Sequence, residues 1–169
     1  SKGVQTKLIR SKKYSKFYKS YFHNKKFSLP YIAAKIALSK DFFSINKKNK
    51  WITNQTSRKI VHLFRNKYDC ILSTSKSINK DNSLLNCRID GLNNNKPDLF
   101  IIDLNLKLKK KLLLNNLITK RKTFIVTNRN NKKKIPIYKK LGYKIIFVNR
   151  LKNKKDFNLL SNKIYKKGY

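Results

Sequence analysis

The chain has 169 residues and a formal net charge of +36, from 43 Lys+Arg against 7 acidic residues, all of them Asp. That length supports one domain with a real core, and no apolar run is long enough to span a bilayer. Cys70 and Cys87 are too few and too far apart for a zinc site or a disulfide framework, so no metal centre is expected and a reducing cytoplasm fits.

Ser1 to Phe27 is basic, and Tyr14, Phe17, Tyr18, Tyr21 and Phe22 recur at helical steps, which predicts a helix with an aromatic face. Packing against a neighbouring domain is favoured over stacking on bases, because base-stacking aromatics sit more often on strands or in grooves. Ser28-Leu29-Pro30 ends the pattern. Tyr31 to Leu38 is a nearly continuous apolar run and predicts a buried strand. Lys35 interrupts it, and a buried ammonium is costly unless it meets an anion or reaches an opening. Ser39 to Lys50 is a polar loop with Asp41 early in it.

Trp51 to Arg65 predicts an extended entry and an amphipathic helix with Thr53 as its N-cap. Ile60, Val61 and Phe64 share one side, while Arg58 and Arg65, seven apart, share a face. Alone, this window also describes a core helix with solvated arginines. Asp69 to Thr74 reads as a short buried strand that makes Cys70 a buried thiol. Ser73 to Ser77 leads into a short helix near Ile78; such a turn serves either ordinary capping or a phosphate. Asp81 to Arg88 is a turn and Asp90 to Lys96 a loop. Leu99–Ile102, Thr123–Thr127 and Lys144–Val148 predict three more strands. Leu112–Leu117 and Ile135–Leu141 are helices or loops, with Gly142 just past a helix end. Asp156 to Tyr165 predicts a final helix. Strands alternating with helices make an α/β fold with a mostly parallel central sheet flanked by helices. Both chain ends read as cuts.

Three ordered blocks carry a family resemblance. The first is Pro30-Tyr31-Ile32, Lys35-Ile36-Ala37, Ser39 and Asp41. The second is Trp51-Ile52-Thr53, Arg58, Val61-His62, Leu63 and Arg65. The third is Asp69, Ile71-Leu72, Ser77, Asp81, Leu85 and Arg88. In order and spacing they resemble the C-terminal reductase domain of the bacterial riboflavin-biosynthesis bifunctional deaminase/reductase. Pro30 to Arg88 is the well-matched part, with strand-level agreement beyond it. Phe42, Asn82-Ser83 and Leu104 depart from the family's usual Gly, Asp-Pro and Ser. The chain also stops before a Glu-Gly-Gly-type segment.

The resemblance implies a dihydrofolate-reductase-like fold and reduction of 5-amino-6-(5-phosphoribosylamino)uracil by NADPH to the ribityl product. Residues 1–27 would be the tail of a missing deaminase domain plus a linker helix, and 28–169 an incomplete reductase domain. Zinc would belong only to that missing domain. Arg65 and Arg88 would hold the substrate phosphate, with Asn49, Leu85 and Lys35 also on the substrate side. Leu38, Trp51, Ser77 and Asp81 would contact the dinucleotide. Lys35, Trp51, Arg65, Ser77, Asp81 and Arg88 are thus expected to border one cleft. No catalytic triad is required, since hydride transfer is the cofactor's chemistry. A homodimer or larger homo-oligomer is left open. The alternative is a basic, ribosomal-type nucleic-acid-binding protein, because bulk charge of this kind neutralises phosphates. A/T-rich codons for Lys, Asn, Ile, Tyr and Phe compete with that reading. The absence of Glu has no physical explanation.

Overall fold

The computed structural model describes residues 3, 5–9, 11–44, 51–94 and 96–169. The chain divides into two compact units, Ser1–Ala34 with Phe157–Tyr169, and Lys35–Asp156.

In the first unit, α1 (Lys12–Phe17) and α2 (Lys19–Phe27) stand where one aromatic-faced helix is expected. Ser11 caps α1 by accepting the Lys13 N–H, and Ser28 closes α2 in the left-handed region at φ 51°. Phe17, Tyr18, Tyr21 and Phe22 remain exposed, in edge-to-face pairs such as Phe17–Tyr18 at 5.0 Å. The final helix, α6 (Lys154–Tyr165), starts in the second unit and continues in the first; Leu160 and Ile164, one turn apart, are its buried stripe.

The second unit is built on a sheet of four parallel strands in chain order: β1 (Cys70–Thr74), β2 (Asp98–Ile102), β3 (Thr123–Thr127) and β4 (Lys144–Phe147). Cys70 pairs with Asp98, Leu99 with Thr123 and Phe124 with Lys144. The central strand β3, Thr-Phe-Ile-Val-Thr, is buried throughout, as β-branched and aromatic residues covered on both faces should be. Leu99, Ile101 and Ile125 join Ile78, Ile135 and Tyr138 in the main core. Phe100 and Phe124 stack with ring centroids 4.6 Å apart. The connecting helices are α3 (Gln55–Lys67), before β1, α4 (Ser75–Asp81), which packs on β1, and α5 (Ile135–Lys140), which packs on β4. Leu113–Leu117 is a turn of 3-10 helix.

Four of the five expected strands are therefore present in one sheet. The fifth is not: Tyr31 to Leu38 belongs to no strand, and Ile32 and Ile36 are 66% and 70% exposed. An apolar run becomes a strand only when a neighbour accepts its hydrogen bonds, and none of the described strands does. Lys35 is correspondingly exposed, so the desolvation argument made for it does not apply. The cap of α3 is Asn54, whose Oδ1 accepts the Ser57 N–H at 2.8 Å, one residue later than the expected Thr53.

Asp103 closes β2. It is 4% exposed, and its two carboxylate oxygens accept the Lys107 N–H at 2.9 Å and the Leu108 N–H at 2.7 Å. Asp103→Asn leaves one oxygen to serve these two donors. Chemical denaturation is expected to show a loss of about 1–2 kcal/mol; an unchanged midpoint would show that the two N–H groups find other acceptors.

Candidate functional site

Helix α3 sets out the site. It runs unbroken from Gln55 to Lys67, so Arg58, His62 and Arg65 fall on one face at steps of four and three. At its start, Arg58 donates to the Thr53 carbonyl at 2.7 Å and lies 4.5 Å from the centre of the Trp51 ring. That stack leaves Trp51 56% exposed, a flat aromatic and cationic surface.

At the other end, α3 meets the irregular segment Leu84 to Arg88. Arg65 donates through Nη1 to the Asn86 carbonyl at 3.2 Å. The Arg88 N–H donates to His62 Nδ1 at 3.1 Å. Leu85 stands between them with φ 49°, left-handed backbone that a leucine rarely adopts. Arg65, Leu85 and Arg88, three of the expected substrate-side residues, are thus gathered around Asn86. Arg65 is half-buried and Arg88 exposed. Burial, and then the nearby charge of Arg88, hold the Arg65 guanidinium below its ordinary pKa. Two cations in this proximity, one partly desolvated, favour an anion between or beside them.

Burial lowers the His62 pKa, Arg65 and Arg88 lower it further, and the Asn86 backbone opposes them. The neutral ring is also the form whose Nδ1 accepts the Arg88 N–H. In the unfolded chain His62 takes its proton near 6.5. As pH falls below that value the unfolded state protonates first, so stability is lost until the pH passes the lower folded value. Thermal unfolding is expected at lower temperature near pH 5 than near pH 7.5, with a smaller difference in His62→Gln. Equal pH dependence in both chains would assign the effect elsewhere.

Of the cofactor-side residues, Trp51 stands at the start of α3 and the others lie elsewhere in the chain. Ser77 and Asp81 are one turn apart on α4 and both exposed. The Ser77 N–H is taken by Thr74 Oγ1 at 3.2 Å, so the Ser/Thr turn serves capping. Leu38 and Lys35 lie on the exposed, unpaired run, and Asn49 lies outside the described residues. Cys70 is half-buried where a buried thiol is expected; burial first, then Asp69 and Asp98, push it up to about 11.

Sequence reasoning missed Asn86 and Arg121. Arg121 is 6% exposed and donates to the carbonyls of Leu84, Leu85 and Pro97. One signal was available: only seven of the 43 basic residues are Arg, and Arg58, Arg65, Arg88 and Arg121 are four of them. Among the described residues no group of His, Cys, Asp or Glu has the makings of a metal site, and no helix is long and apolar enough to cross a membrane.

The family model of the RibD C-terminal domain matches residues 30–165. The chain belongs to that family. The riboflavin biosynthesis protein RibD of Buchnera aphidicola subsp. Baizongia pistaciae is 37% identical over 91 residues, covering 53% of this chain and 24% of the relative. The chain thus spans about a quarter of the length of that curated relative. Among solved structures, the deaminase/5-amino-6-(5-phosphoribosylamino)uracil reductase of Thermotoga maritima superposes with a TM-score of 0.69 at 20% identity, covering 92% of this chain and 41% of that one. Form 2 of Acinetobacter baumannii RibD gives a TM-score of 0.71 at 18% identity over 90% of this chain and 41% of that one. The fold is therefore the dihydrofolate-reductase-like one of RibD reductase structures, and the ribosomal-type alternative finds no support.

Proposed function

We propose that this chain carries the reductase function of the RibD C-terminal domain family, binding 5-amino-6-(5-phosphoribosylamino)uracil and NADPH for reduction of the ribosyl group to a ribityl chain. The observation that carries it is the gathering of Arg65, Leu85 and Arg88 around the Asn86 carbonyl within the family match. Arg65 spends one donor on that carbonyl and keeps the others for a phosphate; Arg88 adds its whole guanidinium. Leu85 offers an apolar contact beside them, with Lys35 and Asn49 as the remaining substrate-side residues.

The residues assigned to the dinucleotide have suitable chemistry. The exposed Trp51–Arg58 stack suits a flat ring or a phosphate, and the Ser77 hydroxyl and Asp81 carboxylate, sharing one face of α4, suit sugar hydroxyls and amide N–H groups. Leu38 would complete that side. NADPH, when bound, supplies the hydride; this chain's part is to hold the phosphate, orient the sugar and shield the two ligands from water. Free thiols at Cys70 and Cys87 accord with a cytoplasmic setting.

Two titrations of the 169-residue chain test this. NADPH should quench the fluorescence of Trp51, the single tryptophan. Ribose 5-phosphate, followed by calorimetry, should bind in competition with inorganic phosphate and leave the NADPH titration in place. If neither ligand binds, the proposal fails for this chain.

A further inference from the structure

We propose that Arg121 is a positioning residue of the anion site: it fixes the backbone of Leu84 to Arg88 and so sets the geometry in which Arg65 and Arg88 meet a phosphate. The inference rests on the reading of Arg65 and Arg88 as the phosphate-binding pair.

Arg121 sits between the 3-10 turn at Leu113–Leu117 and β3, flanked in sequence by Lys120 and Lys122. Unlike those exposed lysines it is buried. Its Nη1 donates to the Leu85 carbonyl at 2.8 Å and to the Pro97 carbonyl at 3.2 Å, and its Nη2 donates to the Leu84 carbonyl at 2.6 Å. Its Nε–H is buried and meets no hydrogen-bond acceptor among the described residues. Burial lowers its pKa to about 10, Asp98 opposes the shift, and Arg65 adds to it. A buried guanidinium bound to carbonyls is an expensive way to fill space; an apolar side chain of that volume does it more cheaply. Its gain is geometric.

Leu84 to Arg88 belongs to no helix or strand, so side chains must take up its backbone groups. Arg121 takes two successive carbonyls on either side of the left-handed Leu85. The next carbonyl, Asn86, is the one Arg65 holds, and two residues on, the Arg88 N–H reaches His62. Arg121 also ties this segment to Pro97, at the foot of β2, and thus to the sheet. The planar fork holds its donors at a fixed spacing across these carbonyls, whereas a lysine offers a point charge on a flexible stem.

The test compares wild type, Arg65→Ala and Arg121→Lys for ribose 5-phosphate affinity by calorimetry, NADPH affinity by Trp51 quenching, and thermal unfolding. Arg121→Lys keeps the charge and loses the fork. It is expected to weaken ribose 5-phosphate binding roughly tenfold or more while NADPH affinity holds. A variant that melts earlier but binds both ligands as wild type does would make Arg121 a merely structural residue and overturn the proposal. If Arg65→Ala weakens binding and Arg121→Lys does not, only this inference falls; if wild type does not bind ribose 5-phosphate, the phosphate-site reading falls and this one with it. A second measurement needs no variant. Binding linkage is reciprocal, so a phosphate held by the segment must in turn slow hydrogen exchange at the Arg121 Nη protons. Unchanged exchange at saturating ribose 5-phosphate overturns the proposal even if Arg121→Lys fails to fold.

Discussion

Arg65→Ala is expected to lower the affinity of the chain for ribose 5-phosphate by roughly 10- to 150-fold, since hydrogen bonds to charged groups contribute about 1.5–3 kcal/mol. Two losses combine. The guanidinium proposed to meet the anion disappears, and so does its bond to the Asn86 carbonyl. Arg65→Lys should recover part of the affinity, because the charge survives while the fork does not. NADPH quenching of Trp51 should stay near its wild-type midpoint, because Trp51 and Arg65 stand at opposite ends of α3. In an enzyme carrying this sequence, kcat/KM should fall over the same range. Weakened NADPH binding with phosphate affinity intact would show that this arginine serves the other ligand.

Phe100→Ala should be the most damaging single change to the fold. Phe100 is fully buried on β2 and stacks nearly parallel on Phe124 of β3, at 4.6 Å and 8° between planes. The truncation removes the buried ring and leaves a cavity in the middle of the sheet. Such changes cost about 3–5 kcal/mol. For a chain of this size that is a fall in melting temperature of roughly 6–20 °C. Phe100→Leu should recover much of it, because most of the volume returns. A melting temperature within a degree or two of wild type would mean that the two strands close over the gap.

The four strands could be read because each is a short apolar run bounded by polar turns, and the inner strands β2 and β3 are covered on both faces, whereas β1, expected to be buried, leaves Leu72 and Thr74 exposed at the sheet edge. Tyr31 to Leu38 is also a nearly continuous apolar run, though three of its eight residues are Ala, and it still lies outside the sheet, since pairing is a property of two segments and composition of one. The Asn54 cap was one residue from the expected Thr53 because both side chains are good acceptors at a helix start, and backbone angles decide between them. Arg65 and Arg88 stood out as arginines spaced along recognisable motifs. Asn86 did not, because its part is played by a backbone carbonyl, which every residue has. Arg121 was hidden for a different reason: within Lys-Arg-Lys, the scarcity of arginine in this chain is the one mark that sets the inward-turning cation apart.

The sheet order has a consequence for how the chain reaches its fold. All four described strands run parallel, so none of their pairings is a hairpin. Each ladder joins segments about twenty to thirty positions apart, as Cys70 with Asp98 and Phe124 with Lys144. Every strand contact therefore waits on closure of a loop that carries a helix or a long turn, and the entropy of that closure is lost before any pairing is gained. During synthesis at about 5–20 residues per second, β1 spends one to several seconds without its partner. Stopped-flow refolding should accordingly show helical signal first and the sheet in milliseconds to seconds, with β2–β3 variants such as Phe100→Leu slowing the second phase.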